Sequence, residues 1–267
     1  MGKFDGILIC SDFDGTFAHK AKISEQNLNA VKYFQSEGGM FVPASGRPWH
    51  FFEQFAPDFV PSRYIIGLNG AEIYDTEAGC AVYRHALDKP HALALAHDML
   101  QKYPELSCVY IHTVDGGDHH SLDGWQSAEL IEGDIFKMVF VVITEASDRV
   151  ISELEDFVPE RYTVERSWIN GIELMDKDNV KGASVRRLRE MLGGRARRVI
   201  CVGDYENDIS MLREADIGYA VNGAPPVVRA AADRMTVRVT EGAVAHVIED
   251  IENELRTAPG SFWREVI

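Results

Sequence analysis

Basic residues are scarce in this 267-residue chain: 27 Lys and Arg stand against 42 Asp and Glu, a formal net charge of −15. Nucleic-acid binders need a basic face to displace counterions from phosphates, so the deficit argues against that class. It argues equally against retention on anionic lipid. Long hydrophobic runs are missing too. The longest uninterrupted apolar stretch is Met138 to Ile143, far short of the roughly 18 residues that a membrane span needs. The start, Met1-Gly2-Lys3-Phe4-Asp5, has no apolar core of a secretion signal. Gly6 stands where a myristoylation pattern needs Ser or Thr. Cysteine is sparse: Cys10, Cys80, Cys108 and Cys201 are widely spaced and form no CxxC pair. Cys10 and Cys201 lie inside apolar runs, where a reduced, buried thiol is the usual state. No internal repeat, low-complexity tract or long linker is present. These absences lead to the expectation of a soluble cytoplasmic protein.

What is present is the balance of an ordinary globule, 46% hydrophobic and 26% charged residues. The length allows one large or two medium domains. Five apolar runs each end abruptly at a polar residue. Ile7 to Cys10 leads into Ser11 and Asp12, Met40 to Ala44 into Ser45, and Ile65 to Leu68 into Asn69. Val199 to Gly203 leads into Asp204, and Ile217 to Val221 into Asn222. Unbroken apolar character predicts strands covered on both faces, as in a parallel α/β sheet. Helical spacing appears between them: Leu28, Val31 and Phe34 before Gly38-Gly39, and Val185, Leu188 and Leu192 before Gly193-Gly194. In such sheets ligands bind beyond the carboxyl ends of the strands, where these polar residues gather.

The middle of the chain reads differently. Helices are predicted over 90–102 and 146–157, and strands at 109–111, 136–144, 162–164 and 169–174. This is the pattern of an α+β module, residues 83–174, inserted into an α/β core made of residues 1–82 and 175–267.

Asp12-Phe13-Asp14-Gly15-Thr16 follows the first predicted strand directly. Two carboxylates two residues apart can ligate a hard cation, and a carboxylate can also serve as a nucleophile. Alone, each Asp suits a turn or a helix cap equally well. Gly203-Asp204-Tyr205-Glu206-Asn207-Asp208 adds acid groups at another strand end, and agreement between independent elements favours function. With Ser45 and Lys181, the set amounts to clustered carboxylates, one hydroxyl and one ammonium. Ser45 also suits a cap for a helix after Pro48, and Lys181 also suits a solvated position at the start of an Arg-rich helix. Clustered anions repel unless a cation or proton neutralises them, and bound Mg²⁺ is the simplest resolution.

The ordered motifs resemble the haloacid dehalogenase (HAD) superfamily, specifically its Cof-type phosphatases with a type IIB cap. Asp12 to Thr16 resembles the first superfamily motif, and Ala44-Ser45-Gly46-Arg47-Pro48 the second in its Cof-type form. Lys181-Gly182 resembles the third and Gly203 to Asp208 the fourth, while Asn69-Gly70-Ala71 is typical of this branch. Two departures stand out: Asn222-Gly223-Ala224 where the family has Gly-Asn-Ala, and Glu241-Gly242-Ala243-Val244 for the usual Asp-Gly-Val.

The resemblance implies a Rossmann-like core with a parallel sheet and an inserted α+β cap. It implies hydrolysis of a small-molecule phosphate ester, a sugar phosphate foremost, with Asp12 as nucleophile and Asp14 as general acid and then base. Mg²⁺ is then held by Asp12, Asp204 and the backbone carbonyl of Asp14, with Asp208 ligating directly or supporting a ligand. Ser45, Gly46, Arg47, Lys181 and Asn207 are implied to bind the phosphoryl group. A monomer or homodimer is expected. Two rivals remain, a phosphomannomutase-like phosphomutase and a catalytically silent phosphosugar sensor.

Three further features have blander readings. The arginines from Arg186 to Arg198 read as a solvated helix face, with Arg186 and Glu190 at i,i+4. The His112 to His120 stretch lacks a fixed metal-ligand spacing and reads as a cap loop bearing on specificity. Trp125 and Trp168 read as packing groups.

Overall fold

A computed structural model describes residues 2–113, 116–257 and 259–263. The chain divides into two compact units, Met1–Val82 with Lys181–Ile267, and Tyr83–Val180. Among the described residues no helix is long and apolar enough to cross a membrane.

The first unit is built on the strand Ile7–Ser11, every residue of which is buried. It pairs in parallel with Arg198–Gly203 on one side, Ile7 opposite Arg198 and Ser11 opposite Val202. On the other side it pairs in parallel with Met40–Pro43. Ile217–Val221 and then Arg234–Thr236 extend the sheet beyond Arg198–Gly203, again in parallel. With all strands pointing one way, the residues that follow them emerge at one edge: Asp12, Ser45, Asp204 and Asn222. This is the α/β arrangement that unbroken apolar runs imply. The helix Glu25–Ser36 carries the expected spacing of Leu28, Val31 and Phe34 and is capped by the Ser24 side chain, which accepts from the backbone N–H of Asn27 at 3.2 Å. Its buried Val31 and Phe34 join Val244, Val247, Ile248 and Ile251 of the helix Ala243–Thr257 in one apolar cluster. Asn27 ties them further: it donates to Phe17 O at 2.9 Å and accepts from Ala245 N–H at 3.0 Å.

The run Ile65 to Leu68 meets the expectation of a parallel neighbour in part. Its strand, Tyr64–Gly67, is joined to the parallel sheet by a parallel bridge between Ala44 and Ile66 and by Ser45 N–H donating to Ile66 O at 2.9 Å, and it pairs antiparallel with Glu72–Asp75. Unbroken hydrophobicity reports that both faces are covered, and carries no information about the direction of the neighbouring strand.

The second unit is an antiparallel sheet in the order Tyr162–Trp168, Gly171–Asp176, Lys137–Val142, Leu106–His112, Gly117–His120. Alternate residues point to one face: Val109 and Ile111, Met138 and Phe140, Ile172 and Leu174. They pack with Ala96, Met99 and Leu100 of the helix Lys89–Lys102 and with Val150 and Leu154 of Ser147–Phe157. The opposite face carries a buried ion pair, Lys137 Nζ to Glu173 Oε2 at 2.9 Å, with the Ser167 hydroxyl donating to Glu173 Oε1. Because Gly171–Asp176 is one continuous strand, a limit at residue 174 falls inside it, and this unit runs on to Val180. Trp125 is a packing group as expected, but Trp168 is 41% exposed. The arginine run is also less uniform than a solvated face. Arg186 pairs with Glu214 at 3.3 Å rather than along its own helix, Arg189 pairs with Asp216, and Arg198 is buried.

Candidate active site

The site begins with alternation at a strand end. Phe13 turns inward and packs its ring on Phe17, Phe51, Phe52 and Phe55 with centroids 5.0–6.0 Å apart. Its neighbours Asp12 and Asp14 are thereby kept out of the apolar cluster. Gly15 follows with φ 103°, a left-handed conformation disfavoured for other residues. A Cβ there would lie 2.4 Å from Asp204 Oδ2, so only glycine lets the first loop approach the acidic loop so closely.

Lys181 opens the helix Lys181–Leu192 and is fully buried. Lysine is rarely found so unless it is paired. Its ammonium donates to Asp12 Oδ1 at 2.7 Å and to Asp208 Oδ1 at 2.6 Å. Gly182 permits this placement, since a Cβ there would sit 2.3 Å from Ser210 O. The other oxygen of Asp208 accepts from the backbone N–H groups of Asp204 and Tyr205 at 2.8 and 3.1 Å. Asp208 thus folds the acidic loop onto Lys181 with both its oxygens engaged.

Ligand oxygens of Asp12, Asp204 and Asp208 all lie within 4.8 Å of one another. Burial pushes the pKa of Asp12 well above the usual carboxylate range; the Lys181 ammonium opposes this, and Asp208 and Asp204 add to it. Burial and the neighbouring Asp208 push Asp204 up to about 6. Burial would lower Lys181, but Asp12 and Asp208 outweigh it and raise the ammonium's pKa. Three carboxylates with one ammonium between them leave excess negative charge on hard oxygen donors, which fits a divalent cation of the Mg²⁺ type.

The carboxylate of Asp14 stands apart from that cluster. Arg47 Nε donates to its Oδ2 at 2.9 Å, and the guanidinium lies 4.7 Å from the Phe51 ring centroid. Both side chains of this pair are about half exposed. Ser45 is buried and is not a helix cap. Its hydroxyl accepts from Arg47 N–H at 3.1 Å across the bend at Gly46, and the 3₁₀ turn Trp49–Phe55 that follows has no side-chain cap. Asn207 is buried and donates from Nδ2 to Asn69 Oδ1 at 3.4 Å. The structure therefore brings Asp12, Lys181, Asp204 and Asp208 together and sets Asp14 with Arg47. Asn222 is exposed, its backbone N–H bonded to Thr236 O.

Two residues named within motifs are given no role by the sequence. Thr16 donates to Asp204 Oδ1 at 2.6 Å and so orients a carboxylate of the cluster; the clue was a hydroxyl closing the first motif. Asn69 meets Asn207, and its clue was a polar residue at the end of an apolar run. Of the His112 to His120 stretch, Val114 and Asp115 lie outside the described residues. His119 stacks on Tyr110 with centroids 4.7 Å apart, and His120 Nδ1 lies 3.0 Å from Ser127 Oγ.

Comparison with known proteins agrees with the geometry. Residues 9–248 match the family model described as haloacid dehalogenase-like hydrolase. A 5-amino-6-(5-phospho-D-ribitylamino)uracil phosphatase of Bacillus subtilis (strain 168), YcsE, is 26% identical over 90% of this chain and 94% of its own. A haloacid dehalogenase-like hydrolase from Bacteroides thetaiotaomicron has a similar structure, with a TM-score of 0.72 and 27% identity over 92% of this chain and 99% of its own. The fold also matches that of the HAD subclass IIB sugar phosphatase BT4131, at a TM-score of 0.76 and 18% identity over 91% and 98% of the two chains. The resemblance in the motifs, the α/β fold and the full-length similarity converge: the chain belongs to the haloacid dehalogenase-like hydrolases and is a phosphatase of that family.

Proposed function

We propose that the protein is a Mg²⁺-dependent phosphomonoester hydrolase that acts on a small phosphorylated metabolite, a sugar phosphate foremost, through a phosphoaspartate on Asp12. The observation that carries this reading is the Asp12 carboxylate at the end of a central strand, bonded to a buried Lys181 and within 4.8 Å of Asp204 and Asp208. The named substrate of YcsE carries its phosphate on a ribityl chain, which supports a polyhydroxylated leaving group.

Asp12 attacks phosphorus in line as the ester oxygen departs, and Asp14 gives that oxygen its proton. Asp14, now ionised, then takes a proton from the water that attacks the phosphoaspartate. Phosphate leaves and Asp12 is restored. Arg47 holds the Asp14 carboxylate in place for both transfers. Lys181 offsets the charge on Asp12 and on the transferred group, while Ser45, Gly46 and Asn207 line the phosphoryl side. Asp12, Asp204 and the Asp14 carbonyl would hold Mg²⁺, with Asp208 orienting the acidic loop. The bound ion would screen the anionic nucleophile from the anionic ester. Residues 83–180 are read as the family's cap unit, and the remainder as the catalytic core.

The test is Mg²⁺-dependent hydrolysis of p-nitrophenyl phosphate, followed by a panel of phosphorylated metabolites. Asp12→Asn is expected to abolish turnover, and a rate near that of wild type removes Asp12 as nucleophile. Sugar phosphates are expected to release inorganic phosphate; isomerised sugar phosphate in its place would mark a phosphomutase.

A further inference from the structure

After the strand Tyr64–Gly67 the backbone turns through three consecutive residues with positive φ: Leu68 at 51°, Asn69 at 56° and Gly70 at 102°. For residues other than glycine this conformation is uncommon, and it persists where surrounding bonds over-determine it. Those bonds are present. Leu68 N–H donates to Arg47 O at 3.1 Å and Asn69 N–H to Ser45 O at 3.0 Å. The Ser184 hydroxyl, on the helix that begins with Lys181, donates to Gly70 O at 2.6 Å. The Asn69 carboxamide, completely buried, accepts from Asn207. One strained turn thus joins the Ser45–Arg47 loop, the lysine-bearing helix and the acidic loop. Asparagine satisfies both demands at this position, because it tolerates left-handed backbone and carries a polar head.

We propose that Asn69 is a positioning residue for phosphoryl transfer, acting through Asn207. Its Oδ1 takes one hydrogen of the Asn207 amide and so orients the second toward the phosphoryl group. The backbone on either side of Asn69 holds Ser45 and Arg47 in register with it. This rests on the phosphatase mechanism above and adds to it a residue that does not itself touch substrate.

Asn69→Gly tests it, because glycine accepts φ near 56° and the substitution deletes only the carboxamide. The measurements are kcat/KM for p-nitrophenyl phosphate with Mg²⁺, competitive inhibition by inorganic phosphate, and thermal melting. The proteins compared are wild type, Asn69→Gly, Asn207→Ala and the double variant. A folded Asn69→Gly is expected to lose about tenfold in kcat/KM and to bind inorganic phosphate correspondingly more weakly, a loss that structure alone would not impose. The double variant is expected to be no slower than Asn207→Ala, as for two residues acting as one unit. Full activity in Asn69→Gly, or losses that multiply in the double variant, would overturn the proposal. Should Asn69→Gly fail to fold, Asn207→Ala decides, because the proposal acts through the Asn207 amide. A folded Asn207→Ala is expected to lose at least about tenfold both in kcat/KM and in inhibition by inorganic phosphate, and a smaller loss overturns the proposal equally. Wild type and Asp12→Asn are assayed alongside. An active Asp12→Asn sinks the mechanism itself, whereas an inactive one leaves the fate of Asn69 to its own variants.

Discussion

The ammonium of Lys181 lies 2.7 Å from Asp12 Oδ1, a buried ion pair between residues 169 positions apart. The same ammonium bonds Asp208, so a single cation spans two carboxylates. Removing it takes from both carboxylates the cation that pairs them.

Lys181→Met should therefore lower kcat for p-nitrophenyl phosphate by about 10²–10³-fold, the range for loss of one preorganised charge donor. It should also destabilise the protein by about 3–5 kcal/mol, as breaking a buried ion pair does. Thermal melting with and without Mg²⁺ checks the second part, and added Mg²⁺ should restore some of the lost stability. Unchanged kcat would remove Lys181 from the chemistry.

Thr16 orients Asp204 through a 2.6 Å hydrogen bond. Partners that hold a metal-binding group in place typically account for 10–100-fold in affinity, so Thr16→Val should raise the Mg²⁺ concentration for half-maximal activity by about that factor. At saturating Mg²⁺ the rate should return toward that of wild type. The Mg²⁺-induced rise in melting temperature should shift to higher ion concentration in parallel.

Arg47 grips Asp14 through Nε at 2.9 Å, with a second contact from the guanidinium at 3.5 Å. Lysine cannot reproduce that fork. If Arg47 positions the general acid, Arg47→Lys should cost about tenfold on an alkyl phosphate, whose leaving oxygen needs a proton. On p-nitrophenyl phosphate, whose leaving group departs as a stable anion, the loss should stay below about threefold. Equal losses on both esters would assign Arg47 to phosphate binding instead.

In the second unit, burial acting alone would raise the pKa of Glu173. The Lys137 ammonium and the Ser167 hydroxyl outweigh it and hold the pKa below the ordinary 4.5. A carboxylate depressed in the folded state contributes stability above its unfolded pKa and loses it as pH falls through the folded one. Melting temperature should accordingly fall as pH drops below about 4.5, and the fall should be shallower in the double variant Lys137→Met/Glu173→Leu. At pH 7, Lys137→Met alone should cost about 3–5 kcal/mol, while the double variant should be close to neutral. A single variant as stable as wild type would contradict the pairing.

Much of this molecule was legible in the residues. Unbroken apolar runs ending in Asp12, Ser45 and Asp204 announced buried parallel strands with a polar edge, because hydrophobic burial is a property that each segment carries locally. Helix starts were equally local: Ser24 caps its helix with an oxygen three residues from its target. Other features depended on which segments meet. The antiparallel partner of Tyr64–Gly67, the Thr16 bond to Asp204, the Asn69 bond to Asn207 and the turning of Asp14 toward Arg47 are relations between distant stretches. The sequence by itself determined which side chains carry charge and where each strand stops. Only the tertiary structure decided which charges share an oxygen or a proton, because hydrogen bonds act over about 3 Å and such distances exist only once the chain has packed.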